Sequence, residues 1–438
     1  MIKTNSILFS LLLMLSAIND SSQKKRVTKK TKNARILIFM LFLSYTGIAQ
    51  NGTTDTSSGT HEAAINYGAQ RDIIDMAGNA LHKTKGNRTG DTDKVIPSKL
   101  RIAGPLPSLT YSLSTGFSVL IVANASFYTN SEANASSIYS GIVYTQYKQA
   151  IVPLQTNIWT RNNKYDIIFD WRYLYYPSYD YGLGGFTTSS DGYLIDYSTI
   201  KLHQALLRQV APDIYTGIGY SLDYYWNIKD ATPGSNTTDF QNYGFSKTEF
   251  ASGFTLNFLY DTRRNSINPE KGNFVNVVYR PNMTIFGSTD NWQSLVADIR
   301  KYIKLSANSQ NVLAFWSYEW FTLAGKTPYL MLPSTGGDPN YNSGRGYVVG
   351  RFRGANMAYL ESEYRFGILN NGFLGGVVFA NAQSFTEQST NRFQTIIPAC
   401  GAGLRIKFNK FSRTNTAIDY GYGIKGSRGI FMNLGEVF

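Results

Sequence analysis

The chain has 438 residues and a formal net charge of +13, but eight of its cations and one acid lie in residues 1–49. The rest carries 34 cations against 28 acids, an ordinary excess that gives no case for a nucleic-acid partner. A single cysteine, Cys400, excludes an intramolecular disulfide framework, and three scattered histidines, His61, His82 and His203, show no metal-ligand spacing, so neither metal nor cofactor is implied.

In chain order, the basic stretch "QKKRVTKKTKNAR" precedes the apolar run "ILIFMLFLSYTGIA", with small residues at Gly47 and Ala49 before Gln50. This is the order of a cleaved secretory signal, and residues 1–49 are assigned to it. A membrane anchor is the competing reading, but fourteen residues are short for a bilayer. An earlier apolar run, "ILFSLLLMLSA", suggests a start codon later than Met1. Residues 50–104 read as a polar periplasmic segment with one short amphipathic helix, 72–83, because Ile73, Met76, Ala77, Ala80 and Leu81 fall at helical spacing.

From about residue 105 to 438 the period is two. In "GFSVLIVANASFY", Phe117, Val119, Ile121, Ala123, Ala125 and Phe127 oppose Ser118, Asn124 and Ser126. Phe254, Leu256 and Phe258 oppose Thr255, Asn257 and Asp261, while Leu295, Ala297, Ile299 and Ile303 oppose Asp298, Arg300 and Tyr302, with Lys301 an exception on the apolar side. In "IIPACGAGLRIKF", Ile396, Pro398, Cys400, Ala402, Leu404, Ile406 and Phe408 oppose Arg405 and Lys407. Each apolar side repeats over about ten residues, the reach of a tilted strand across a membrane.

Alternation also suits a soluble sandwich, so three further features decide. Tyr and Trp collect near strand ends, as in "DWRYLYYPSYDYG". The chain ends on the aromatic Phe438, closing "GIFMNLGEVF" as a C-terminal barrel signal. Sixteen strands can be counted, with short linkers alternating with long ones, and an even count closes an antiparallel ring without edges. The expectation is an all-β chain forming a 16-stranded antiparallel transmembrane β-barrel, with a short N-terminal periplasmic helix, in a bacterial outer membrane.

Two linkers stand out. "GGDPNYNSGRGYVVGRFRG", residues 336–354, holds six glycines and three arginines, and its linker of about thirty residues is too long to be a mere connection. Folded inward, a guanidinium there needs an acidic partner, because an unpaired buried charge is expensive. The second, "DTRRNSINPEKG", is a Pro/Gly turn.

The first stretch and its following strand resemble the sixth loop and next strand of the BamA/TamA superfamily, the bacterial surface antigen family. The matching residues are Gly336, Gly337, Arg345, Gly346 and Tyr347, then Glu363 before Tyr364. Asp261, Arg263, Pro269 and Gly272 match the family's periplasmic turn. The resemblance implies that the loop tip enters the barrel and that Arg345 meets the wall formed by the strands near 355–367 and 372–384, with Glu363 as partner. Asn381 stands where the family often has an aspartate, which leaves one acid missing, and Arg353 is an alternative inward cation. Family members that assemble proteins carry periplasmic POTRA domains ahead of the barrel, and residues 50–104 show no such pattern, so the expectation is a stand-alone barrel.

The functional expectation is a barrel aiding insertion or export of outer-membrane or surface proteins. Its partners would be outer-membrane lipids and lipopolysaccharide, client outer-membrane proteins and periplasmic accessory proteins. The alternative is a plugged channel or structural barrel. Catalysis is not expected: no G-x-S-x-G occurs, and His203 is the barrel's one histidine, on a face that its neighbours leave open.

Overall fold

The computed structural model describes residues 70–73, 75–76, 101–130, 133–230, 238–263, 265–306, 309–410 and 413–438, with backbone only for 101–108. The expected signal and most of the 50–104 segment lie outside the described residues. Of the expected helix, Ile73, Asp75 and Met76 are helical, and residues 77–83 lie outside the described part.

Alternation is laid out as strands β1 (Arg101–Ser112), β2 (Gly116–Phe127), β3 (Ser136–Thr145), β4 (Ala150–Trp159), β5 (Tyr165–Tyr175), β6 (Ser178–Asp180), β7 (Tyr193–Ala211), β8 (Ile214–Asp230) and β9 (Glu249–Asp261). They continue as β10 (Gly272–Asn282), β11 (Trp292–Lys304), β12 (Val312–Gly325), β13 (Asn356–Gly367), β14 (Leu374–Phe385), β15 (Ile397–Asn409), β16 (Thr414–Gly423) and β17 (Arg428–Leu434). Apart from β6, a three-residue strip on the outer end of β7, each strand pairs antiparallel with the next, giving the nearly closed ring of sixteen. β1 and β17 lie side by side, and among the described residues no hydrogen-bonded ladder joins them. β1 starts at Arg101, slightly ahead of the expected barrel boundary.

The distribution of side chains is inverted relative to a soluble domain. Phe117, Val119 and Ile121 are at least half exposed, while Ser118, Asn124 and Ser126 on the same strand are buried. The same holds for Phe254 and Leu256 against Thr255, and for Cys400 and Leu404 against Arg405 and Lys407. Apolar side chains outside and charged ones packed inside are what a lipid-facing barrel requires. One parity expectation fails: Phe408 is buried, because the β15–β16 register shifts between Lys407 and Asn409. Among the described residues no helix is long and apolar enough to cross a membrane, so the crossing elements are the strands.

The two ends differ. Connections at one end are short, as at 212–213 and 368–373. At the other end, 176–192 and 326–355 are long. These long segments pack together with the helix α1 (Asp239–Gly244) around buried Phe240, Tyr329, Leu183 and Tyr193. A second cluster, including Trp316, Tyr347, Phe352, Tyr359 and Phe438, fills the lumen below them. The last strand was expected to run to 438, but β17 stops at Leu434. Gly435, with φ 101°, then turns the tail inward, a conformation a residue with a Cβ resists.

Candidate functional site

The 326–355 segment turns back into the barrel because its tip is tied to itself. Asp338 accepts backbone N–H groups from Asn340 at 3.1 Å, Asn342 at 2.9 Å and Ser343 at 2.6 Å, closing 338–343 into one knot. Gly336, at φ 69°, bends the chain into that knot, and Gly337 packs beside Trp320. The glycines flanking Arg345 have φ 84° (Gly344) and 108° (Gly346), and the wall opposite is also stripped of side chains. A Cβ at Gly421 would stand 2.7 Å from the Gly346 nitrogen, and one at Gly423 would stand 2.4 Å from the Tyr347 ring.

This close approach brings Arg345 to β13 and β16. Its Nη2 donates to the carboxylates of Glu361 and Glu363, and its Nη1 donates to Asp419 Oδ2 at 2.7 Å. The guanidinium carbon lies 3.8 Å from the centroid of the Phe379 ring, and the Arg345 carbonyl accepts from Asn381 Nδ2 at 2.9 Å. Asn381 therefore holds the backbone, and Asp419, from another strand, is the third acid around the cation. Arg345, Glu361, Glu363 and Asp419 are all at most 1% exposed in their side chains.

The network extends beyond the loop. Arg365 Nε donates to Glu363 Oε2 at 2.7 Å, and Arg405 donates to Asp419 Oδ1 at 2.5 Å and to Glu436 Oε2 at 2.6 Å. Three guanidiniums thus face four carboxylates, so no acid in the cluster depends on Arg345 alone except Glu361, whose other partner is the Tyr359 hydroxyl. Burial works against ionisation of Glu436. The charges of Arg405 and Arg365, with hydrogen bonds from Arg405 and Asn415, outweigh it and hold the carboxyl down at about 2. Burial pushes the Tyr347 hydroxyl up to about 12; it donates to the Pro398 carbonyl at 2.5 Å and accepts from Ile424 N at 2.9 Å.

The second motif lies against the same network. Asp261 accepts Arg263 Nε at 2.9 Å, and Arg263 stacks 4.1 Å from the Phe274 ring centroid. Gly272 has φ 117° and closes the turn. The Pro269 carbonyl accepts from Arg365 at 3.5 Å, and the Ile267 carbonyl from Glu436 N at 3.3 Å. From above, Asn342 Nδ2 donates to the Val437 carbonyl at 2.8 Å. The tail 435–438 is therefore held between the inward loop and the turn. Phe438 packs 5.2 Å from the Trp316 ring and 5.3 Å from Arg365, instead of ending a lipid-facing strand. A cavity of about 320 Å³, lined by Ser266, Ile267, Asn342 and Leu434 among others, remains beside it.

Arg353 lies elsewhere. Its Nε donates to Asp180 Oδ2 at 3.0 Å, and Asp180 Oδ1 accepts the hydroxyls of Tyr329 at 2.6 Å and Tyr193 at 2.9 Å. It pins the neck of the loop to the 176–192 segment. His203 faces the lumen, paired across from buried Ser221, with Nε2 3.0 Å from Asp223 Oδ1; Asp223 also takes Arg280 Nη1 at 2.5 Å. Among the described residues no His, Cys, Asp and Glu group could hold a metal ion.

Glu361, Asp419, Arg365, Arg405 and Glu436 were not anticipated as members of the site. Strand parity holds a signal for two: Glu361 and Arg365 are two residues either side of Glu363. Asp419 shares a parity with Gly421 and Gly423, the small residues that admit the loop.

Residues 151–426 match the family described as the Omp85 superfamily domain. No curated protein matches the sequence. Among solved structures, BamA from Haemophilus ducreyi lacking POTRA domains 1–3 has a TM-score of 0.50 at 14% identity, covering 76% of this chain and 69% of that one. CdiB from Escherichia coli has a TM-score of 0.49 at 12% identity, covering 78% and 67%. CdiB from Acinetobacter baumannii has 0.48 at 12%, covering 75% of this chain and 59% of that one. At such identities the likeness to the BamA structure is one of fold, an even antiparallel ring. The family match spans more than half of the sequence and includes the inward arginine loop and its acidic wall: this chain belongs to the Omp85 superfamily, whose barrels reside in the bacterial outer membrane.

Proposed function

We propose that the barrel helps insert or export outer-membrane or surface proteins, opening sideways between β1 and β17 to admit a client strand. The observation that carries this reading is the seam. Every other strand border is a hydrogen-bonded ladder, while β1 and β17 touch without one among the described residues. An unpaired edge is a ready template for an incoming strand. Client proteins and periplasmic accessory proteins are its partners, and lipid and lipopolysaccharide meet its apolar outer face. Joining Thr110→Cys to Asn433→Cys by a disulfide, in a Cys400→Ser background, should abolish function in cells. Normal growth and client levels with the lock in place would refute sideways opening.

The inward loop favours one other reading, a plugged channel, since a sixteen-stranded ring is wide enough for an aqueous lumen. Planar-bilayer recording separates the two: steady current that rises when residues 338–352 are deleted supports the channel, and no current in either form supports the first reading. We assign no catalytic role to His203, whose Nε2 is engaged by Asp223. Cleavage of lipid esters by the purified barrel would overturn that.

A further inference from the structure

Four consecutive residues after Arg345 bridge the two sides of the seam at its outer end. On the β17 side, the Gly346 carbonyl accepts from Ser427 Oγ at 2.7 Å, and the Tyr347 hydroxyl accepts from Ile424 N at 2.9 Å; both partners lie in the β16–β17 turn. On the β1 side, Val349 N donates to Ser114 Oγ at 2.8 Å, in the β1–β2 turn. Ser114 is itself held, because its carbonyl accepts from buried Gln149 Nε2 at 3.1 Å. Directly between the two turns, Leu113 fills the space that a Cβ at Gly429 would occupy, at 2.2 Å. The β16–β17 turn has a second tether across the mouth, where Lys425 Nζ donates to the carbonyls of Phe186 and Thr187 at 2.9 Å each.

The inner end of the same seam is built differently. β17 pairs with β16 only over Arg428–Leu434 and then leaves the wall at Gly435, while β1 extends back to Arg101. No bridge comparable to Gly346–Val349 crosses the seam there among the described residues.

We propose that the arginine loop is a hinge pin: it fixes the outer end of the β1/β17 seam, so that the seam parts from the periplasmic end while Arg345 stays docked. The geometry makes the coupling direct. Moving Ser114 away from Ser427 must break one of two hydrogen bonds only three residues apart on the loop, and the loop cannot follow both sides because Arg345 is anchored to β13 and β16. The inference rests on the sideways-opening reading, and its test is chosen to separate the two.

Spin labels are placed in the full chain, in a Cys400→Ser background in lipid nanodiscs, at two pairs of positions outside the bridge. The outer pair is Thr115→Cys with Arg428→Cys, and the inner pair is Leu109→Cys with Leu434→Cys. The expected result is a narrow distance distribution for the outer pair and a broad one for the inner pair. Adding Ser114→Ala and Ser427→Ala, which removes both side-chain bonds and leaves Arg345 untouched, should broaden the outer pair to match. Heat-modifiable gel mobility checks that this variant is folded. Equal broadening of both pairs in the unaltered protein, or an outer pair indifferent to the double substitution, overturns the hinge while leaving sideways opening intact. If both pairs stay narrow throughout, the hinge and sideways opening fail together.

Discussion

The two flanks of the lumen balance their charges in different ways. On β5, on β11 and at the end of β9 a guanidinium is neutralised by an acid two residues before it in sequence: Arg172 by Asp170 at 2.5 Å, Arg300 by Asp298 at 2.6 Å and, just past the end of β9, Arg263 by Asp261 at 2.8 Å. On β13, β15 and β16 one pair, Arg365 with Glu363, is of that kind, but the other partners come from different elements, and one cation, Arg345, comes from a loop. The first flank is electrostatically complete as soon as its strands pair. The second is complete only once loop and tail are seated. The loop touches the first flank lightly, through Pro339, whose carbonyl accepts from Arg172 at 2.9 Å, and through the Tyr341 ring.

Removing Arg345 gives the sharpest break in this comparison. Arg345→Ala leaves Glu361 buried without a cation, and breaking a buried pair costs on the order of 3–5 kcal/mol. The loop should undock, exposing 338–349 to protease, and the unfolding midpoint in detergent should fall. Adding Glu361→Gln should recover part of that loss; no recovery would mean the network is not held together as described. Gly421→Ala tests the same docking without touching a charge. Its methyl would press on the Gly346 backbone, an overpacking cost of about 1–3 kcal/mol, with the same protease signature at smaller amplitude.

Acid should loosen the tail selectively. The Glu436 carboxyl sits at about 2 when docked, against an ordinary 4.5, so its contribution is fully present above about pH 4.5 and is lost as pH falls toward 2. Hydrogen exchange at 435–438 should rise across that window, and Glu436→Gln should flatten the dependence. The smallest effect belongs to the self-sufficient flank. Asp170 is a quarter exposed, and Asp170→Asn should cost about 1 kcal/mol or less and leave loop protection unchanged.

The ring of strands was legible because lipid on one side and charge on the other impose a period of two at nearly every position. Where another force acts, the reading slipped. β6 is three residues long and exists only by pairing with Tyr193–Ile195, so no local pattern marks it. Phe438 looks like the end of a strand, but Gly435 and the Arg405–Glu436 pair draw it into the lumen. Within the site, Arg345 and Glu363 stood out because they match the family's inward loop and following strand. Asp419 did not, since its role depends on which strand comes to lie beside the loop, and that is a property of the closed ring.

The hairpin of β7 and β8 has one more consequence. Residues 193–197 and 226–230 run past the ends of β5 and β9, whose ladders stop at Ser198 and Tyr225. At about 3.3 Å per residue, the seventeen residues of β8 are well over what the roughly ten-residue crossing of an outer membrane consumes. At the seam, six strand borders away one way around the ring and ten the other, the outer turns 113–115 and 424–427 are short. The rim is therefore a tall parapet on one side and a low sill on the other, and the barrel's weakest joint is also its least shielded flank.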